Sequence, residues 1–274
     1  MRGVLLTACL GLSVAACAPK LMKLPAPGGA SASDARDALA QATDACRSVT
    51  TMSAEIGVSG SVGGQRLRGR LLVGVAAPAS ARIEAIAPFG QPVFIFVARG
   101  GDATLLLPRD DRVLEHGKPE AVLAAVTGLP LDAADLRMAL TGCIATPQAT
   151  DGRTAGDDWR IVTVDRSTVY LHRDRAAAPW QLVAVDHKPT DVAEWRAEYR
   201  DHQNGQPRSV RLVSRDAKRF DLRLTLSQVE LNTTLGADVF RVEIPPRAVP
   251  ISLRELEEAG PLRASERSGG KASR

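Results

Sequence analysis

Four cysteines and four histidines are the side chains of this chain best suited to covalent or metal chemistry, and their spacing limits what they can do. His116, His172, His187 and His202 never fall three or four residues apart, so no helix presents two of them to one metal ion. Cys9 and Cys17 lie in or at the end of an apolar leader, which leaves Cys46 and Cys143 as the thiols of the folded part. No G-x-S-x-G, P-loop, G-x-G-x-x-G or H-E-x-x-H pattern occurs. Asp110-Asp111 and Asp157-Asp158 stand in turn-like contexts, where carboxylates cap or solvate backbone. The expectation is a protein that is not an enzyme and carries neither cofactor nor metal.

The chemistry that remains is at the N-terminus. Arg2 supplies a positive start, Val4 to Val14 an apolar core, and Val14-Ala15-Ala16 a small-residue cleavage site directly before Cys17. This arrangement resembles the bacterial lipobox, whose cysteine is acylated and becomes the first residue of the mature chain; the alternative is an ordinary secretory signal containing a cysteine. By that resemblance Ala18-Pro19, lacking an aspartate, implies an outer-membrane anchor; the domain is expected to face the periplasm, the alternative being the cell exterior. Two or more acyl chains hold a protein stably on a membrane where one does so only marginally. In such an oxidising compartment Cys46 and Cys143 have one possible pairing, a disulfide, the alternative being two separately buried thiols.

The 274 residues hold 35 Lys+Arg against 31 Asp+Glu, a formal net charge of +4, with 45% hydrophobic and 4% aromatic residues. These interspersed charges give no basic tract for nucleic acid, and no apolar run reaches the roughly 20 residues of a spanning helix. Residues 1–16 read as signal peptide, 17–33 as acylated cysteine and flexible Pro/Gly/Ala/Ser stalk, 34–250 as one domain, and 251–274 as a polar tail with a short charged helix, SLRELEEA.

Ser33 or Asp34 is placed to cap a helix from Ala35 towards Cys46. Period-2 segments follow. In QRLRGRLLVGVA, Leu67, Leu71, Val73 and Val75 share one face while Arg66, Arg68 and Arg70 share the other, most simply a solvated stripe. Gly63-Gly64 and Asn204-Gly205 signal hairpins. About eleven strands are predicted, interrupted between Lys118 and Gly142 by two helices that Gly128 and Pro130 divide and Asp132 caps. So few helices among so many strands predict a mainly β, α+β fold: a curved antiparallel sheet, an unclosed barrel, with helices over its concave apolar face.

Three patches, in order, carry a family resemblance. Ile86-Ala87-Pro88-Phe89-Gly90-Gln91 precedes an apolar strand. Glu120-Ala121-Val122-Leu123 is followed by Gly128-Leu129-Pro130-Leu131. Leu136 precedes Leu140-Thr141-Gly142. Together they resemble the outer-membrane lipoprotein receptor family LolB. Val229-x-Leu231-Asn232, Val239-Phe240 and Pro245-Pro246 are similar to the last strands of the wider LolA/LolB-like superfamily. The resemblance implies an open barrel whose cavity takes acyl chains, of lipoproteins or other lipids, and a periplasmic LolA-type carrier as partner. It nominates Phe89 as an exposed contact to membrane or acyl chain, the alternative being a Phe89 folded back under the sheet edge.

The aliphatic stripes nominate Leu71, Val73, Trp195, Tyr199, Phe220, Leu222, Leu224 and Leu226 as cavity-lining side chains. The alternative function is a structural or assembly lipoprotein using the same fold, filled inside, as a docking scaffold. Cys17→Ser is expected to leave an uncleaved or soluble species, read by membrane fractionation and the mass of the mature chain; unchanged fractionation and mass would remove the anchor.

Overall fold

The computed structural model describes residues 20–87, 92–144, 149–189, 193–216 and 219–259. Cys17 and Phe89, named from sequence, therefore lie outside the described residues. Fourteen strands form one sheet, and its two terminal strands do not pair with each other, so the barrel is unclosed. The first half is a meander of β1 (Thr51–Val62), β2 (Gln65–Ala76), β3 (Ser80–Ile86), β4 (Phe94–Arg99), β5 (Asp102–Leu107) and β6 (Arg112–Gly117). The second runs through β7 (Ala149–Thr154), β8 (Trp159–Val164), β9 (Ser167–His172), β10 (Gln181–His187), β11 (Trp195–Arg200), β12 (Ser209–Ser214) and β13 (Phe220–Leu231). β13 returns to pair antiparallel with β1, making one sheet of two meanders.

Three strands exceed the eleven predicted. β6 and β7 lack a clean alternation, and β14 (Val249–Pro250) is a two-residue parallel pairing on β6, the exception to an otherwise antiparallel sheet. Elsewhere local chemistry sets the ends. Gly63 and Gly64 both adopt positive φ, 55° and 78°, as does Asn204-Gly205 at 51° and 74°, the requirement of a two-residue hairpin turn that splices right-twisted strands. Inside β1, Gly60 at φ 146° lies against the Asp221 carbonyl, where a Cβ would collide with backbone.

Helices α1 (Ala35–Ala42) and α2 (Asp44–Arg47) precede the sheet, and α3 (Pro119–Thr127) and α4 (Ala133–Thr141) separate its halves. Gly128 and Gly142 end α3 and α4 in the left-handed conformation, and Asp132 and Asp135 form a reciprocal capping box on α4. The cap expected of Asp34 is absent. Its carboxylate instead takes Arg160 Nε and Nη2 at 2.7 and 2.8 Å, since a two-pronged charged pair with a largely buried guanidinium outweighs one backbone N–H. That pairing holds the Asp34 carboxyl below its usual range and joins the start of α1 to β8.

α1 packs over β7 to β10, and α4 over β2, β3 and β12. α5 (Leu253–Ala259) buries Leu256 and packs on α3, so this part of the segment read as tail belongs to the packed body. Residues 20–32, read as a stalk, follow the domain surface. The Met22 amide donates to Glu198 Oε1 at 2.9 Å, Leu24 packs against Ile161, Tyr170 and Ala184, and Ala30 and Ala32 hydrogen-bond the edge of β7.

Cys46 and Cys143 are bonded in the structure, their Cα atoms 5.4 Å apart, linking the end of α2 to the residue after Gly142. A bridge across 97 residues of sequence removes unfolded-state freedom worth up to ~4.7 kcal/mol on the chain-entropy account. Unreduced, denatured protein is expected to show neither thiol to a labelling reagent. Reduction should lower the melting temperature; labelling of both thiols would eliminate the bridge.

Candidate functional site

The concave face is unevenly covered. α3 and α4 have nine residues each, so each spans only about 13 Å. Beneath them a cavity of about 430 Å³ remains between β1 to β4 and the helical roof. Its floor includes Ile56, Val58, Leu71, Val73 and Leu224, and its roof Leu123, Leu129, Leu131, Leu136 and Leu140. The wall is overwhelmingly apolar, and the volume lies in the ~300–1,000 Å³ range of small-ligand sites.

Local sequence explains the void. On the inward face of β2, Leu67 and Leu71 are only half-buried, and Gly69 between them supplies no side chain. A Cβ on Gly69 would meet nothing within 4 Å. β3 pairs with β2 only from Arg70 to Ala76, so among the described residues Gln65 to Gly69 form a free strand edge beside the opening. Ala87 and Val93, on either side of the undescribed residues 88–91, also line the cavity.

Of the side chains nominated from sequence, Leu71, Val73 and Leu224 line this cavity. Phe220, Leu222 and Leu226 share the inward face of β13 with Leu224 but are buried in packed core and do not line it. Trp195 and Tyr199 lie on β11, fully buried, and border two smaller cavities of about 360 and 250 Å³ instead of this one. The Trp195 ring packs on His187, with centroids 5.0 Å apart, and the Tyr199 hydroxyl donates to the Met138 carbonyl at 2.9 Å. Full burial pushes the Tyr199 phenol well above its usual pKa.

Sequence reading missed the roof leucines and Gly69 as site residues. In α3 the run Ala121 to Val126 is apolar on nearly every side, a composition suited to a helix with core on one face and cavity on another. It also missed a polar constellation. Ser167 Oγ lies 2.8 Å from His187 Nδ1, and His187 Nε2 lies 3.5 Å from Asp135 Oδ1. Serine, imidazole and carboxyl are the groups of an acyl-transfer triad, but Ser167 is 6% exposed and lines neither the apolar cavity nor the two smaller ones beside Trp195 and Tyr199. The cluster instead ties the start of α4 to β9 and β10. Among the described residues no cluster of His, Cys, Asp and Glu is arranged to hold a metal, and no helix is long and apolar enough to cross a membrane.

No protein-family model and no curated protein matches the sequence. The fold is found among solved structures. A LolA superfamily protein from Nitrosomonas europaea aligns over 76% of this chain and 97% of its own, with a TM-score of 0.53 at 11% identity. A protein domain from Vibrio parahaemolyticus described as outer membrane lipoprotein-sorting aligns over 75% and 97%, with a TM-score of 0.50 at 12% identity. The chain has the fold of the LolA/LolB-like superfamily.

Burial, and then the neighbouring Asp132 charge, pushes the Asp135 carboxyl up to about 7 from 3.8. Burial and Arg166 push His187 down. The folded Asp135 keeps its proton over a range where the unfolded one has lost it, so its contribution to stability falls as pH rises from about 4 to 7. Asp135→Asn, which retains an acceptor for the Asp132 amide, is expected to melt above the parent at pH 8, by up to ~4 kcal/mol of unfolding free energy. The difference should vanish near pH 4, as read by thermal melts across that range.

Proposed function

We propose that this protein is an outer-membrane lipoprotein, acylated at Cys17 and facing the periplasm, that binds acyl chains non-covalently and accepts or transfers lipoproteins or lipids at the membrane. The observation that carries the reading is the 430 Å³ aliphatic cavity under a short helical roof. Each methylene moved from water into such a site is worth ~0.8 kcal/mol, so a chain of modest length binds without any specific polar contact. An apolar cavity open to water has no comparable stabilising partner when empty. The reading makes a periplasmic LolA-type carrier the source of cargo. Phe89, in sequence between the cavity-lining Ala87 and Val93, is its candidate contact with membrane or acyl chain.

Native mass spectrometry of the purified protein is expected to show co-purified lipid. Gly69→Trp should abolish that lipid, because an indole at this position projects into the opening from the inward face of β2. Stability should change by no more than about 0.5 kcal/mol, since the added atoms start in open space on an ordinary strand backbone. Lipid retained by the variant would place the ligand elsewhere, and none in the parent would favour the filled docking scaffold.

A further inference from the structure

The charged side chains bordering the cavity are all of one sign. Arg66, Arg68, Arg70 and Arg109 line it, and no Asp, Glu, His or Lys does. Arg70 is paired with Glu55, its Nη1 3.1 Å from Oε1. Arg66, Arg68 and Arg109 are exposed, and among the described residues their side chains have no ion-pair or hydrogen-bond partner. They come from two separate places. Arg66 and Arg68 stand on the free edge of β2, and Arg109 on the turn between β5 and β6. Three uncompensated cations around an opening into hydrocarbon form a surface complementary to a molecule with an anionic head and an apolar tail.

We infer that the cavity selects anionic amphiphiles, seating the tail under the α3–α4 roof and the carboxylate or phosphate head against Arg66, Arg68 and Arg109. This inference rests on the cavity being an acyl-chain site and adds the head group to it. Arginine suits the task because its planar fork stays protonated at any physiological pH and meets either oxyanion with two donors. Arg70 has an acidic neighbour, while the two arginines nearest the hairpin tip have none.

The test titrates the full-length protein with the fluorescent fatty acid cis-parinaric acid and with its methyl ester, which has the same tail and no charge. The acid is expected to bind about tenfold more tightly at low salt, a preference that shrinks towards unity at 1 M salt. Arg66→Gln, Arg68→Gln and Arg109→Gln combined should erase the preference while leaving the ester's affinity unchanged, which also shows that the variant is folded. Gly69→Trp should remove both ligands.

Equal affinities for acid and ester in the parent, or a preference that survives the triple substitution, would overturn the inference while leaving the acyl-site reading intact. Failure of both probes to bind would overturn that reading and the inference with it. Inorganic phosphate should not displace the acid; displacement would reveal a bare anion site that needs no tail. If the triple variant kept its head-group preference but lost binding to phosphatidylglycerol vesicles, the arginines would belong to membrane docking instead.

Discussion

The pairing of β1 with β13 brings together strands separated by most of the chain, and the interior is built on it. Its register sets Ile56 opposite Leu226, Val58 opposite Leu224 and Val62 opposite Phe220, so both strands direct an aliphatic row to the same side. Because side chains alternate with period 2, a slip of one residue would turn that row to solvent and bring Ser59, Ser61, Asp221 and Arg223 inward. With this seam fixed, two meanders become one twisted surface whose concave side must be covered. The available cover is two nine-residue helices from the crossover and a shorter pair at the start. So little helix cannot fill the whole concave side, and that shortage makes room for a ligand.

The two halves meet this shortage differently. Over β8 to β11 the interior carries large buried side chains, Trp180, Trp195 and Tyr199, together with α1, which Asp34 and Arg160 hold in place. Over β1 to β4 the inward residues are aliphatic or glycine, and the space above them remains open. The scarcity of aromatic residues in the sequence is thus a feature of this architecture. Among the described residues the cavity wall holds one aromatic side chain, Phe94.

Alternation in sequence reports which face a residue occupies, not how far the opposite wall stands from it. That is why Leu71, Val73 and Leu224 could be read as cavity residues while Phe220, Leu222 and Leu226, on the same kind of stripe, belong to filled core. The hairpins at Gly63-Gly64 and Asn204-Gly205, and both helices of the crossover, were legible because each depends on local chemistry: positive φ, a capping box, a left-handed glycine. What escaped depends on distant partners. β7 reads as loop because ATDGRT is polar, and it is a strand because β8 and the Ala30–Ala32 backbone supply its hydrogen bonds. Asp34 reads as a cap because nothing local discloses Arg160, 126 residues away. The Ser167, His187 and Asp135 cluster draws on three separate elements and leaves no motif.

The roof over the cavity is held unequally along its length, which bears on how a ligand enters. α4 is tied at its end by the Cys46–Cys143 bridge, under its last turn by the Tyr199 hydroxyl, and on its side by Arg137, whose Nη2 donates to the Val49 carbonyl at 3.0 Å. α3 has no such polar ties to the sheet among the hydrogen bonds of the described residues, and rests on apolar contact with β5 and α5. Between them Leu129 and Leu131 reach over the cavity from a short connection that Gly128 opens. Raising α4 would break these three attachments and the Asp135–His187 contact at its start. The strand edge from Gln65 to Gly69 already stands open beside the arginines. Entry along that edge leaves every tie of the roof intact, and it carries the tail inward past the cations that would hold the head.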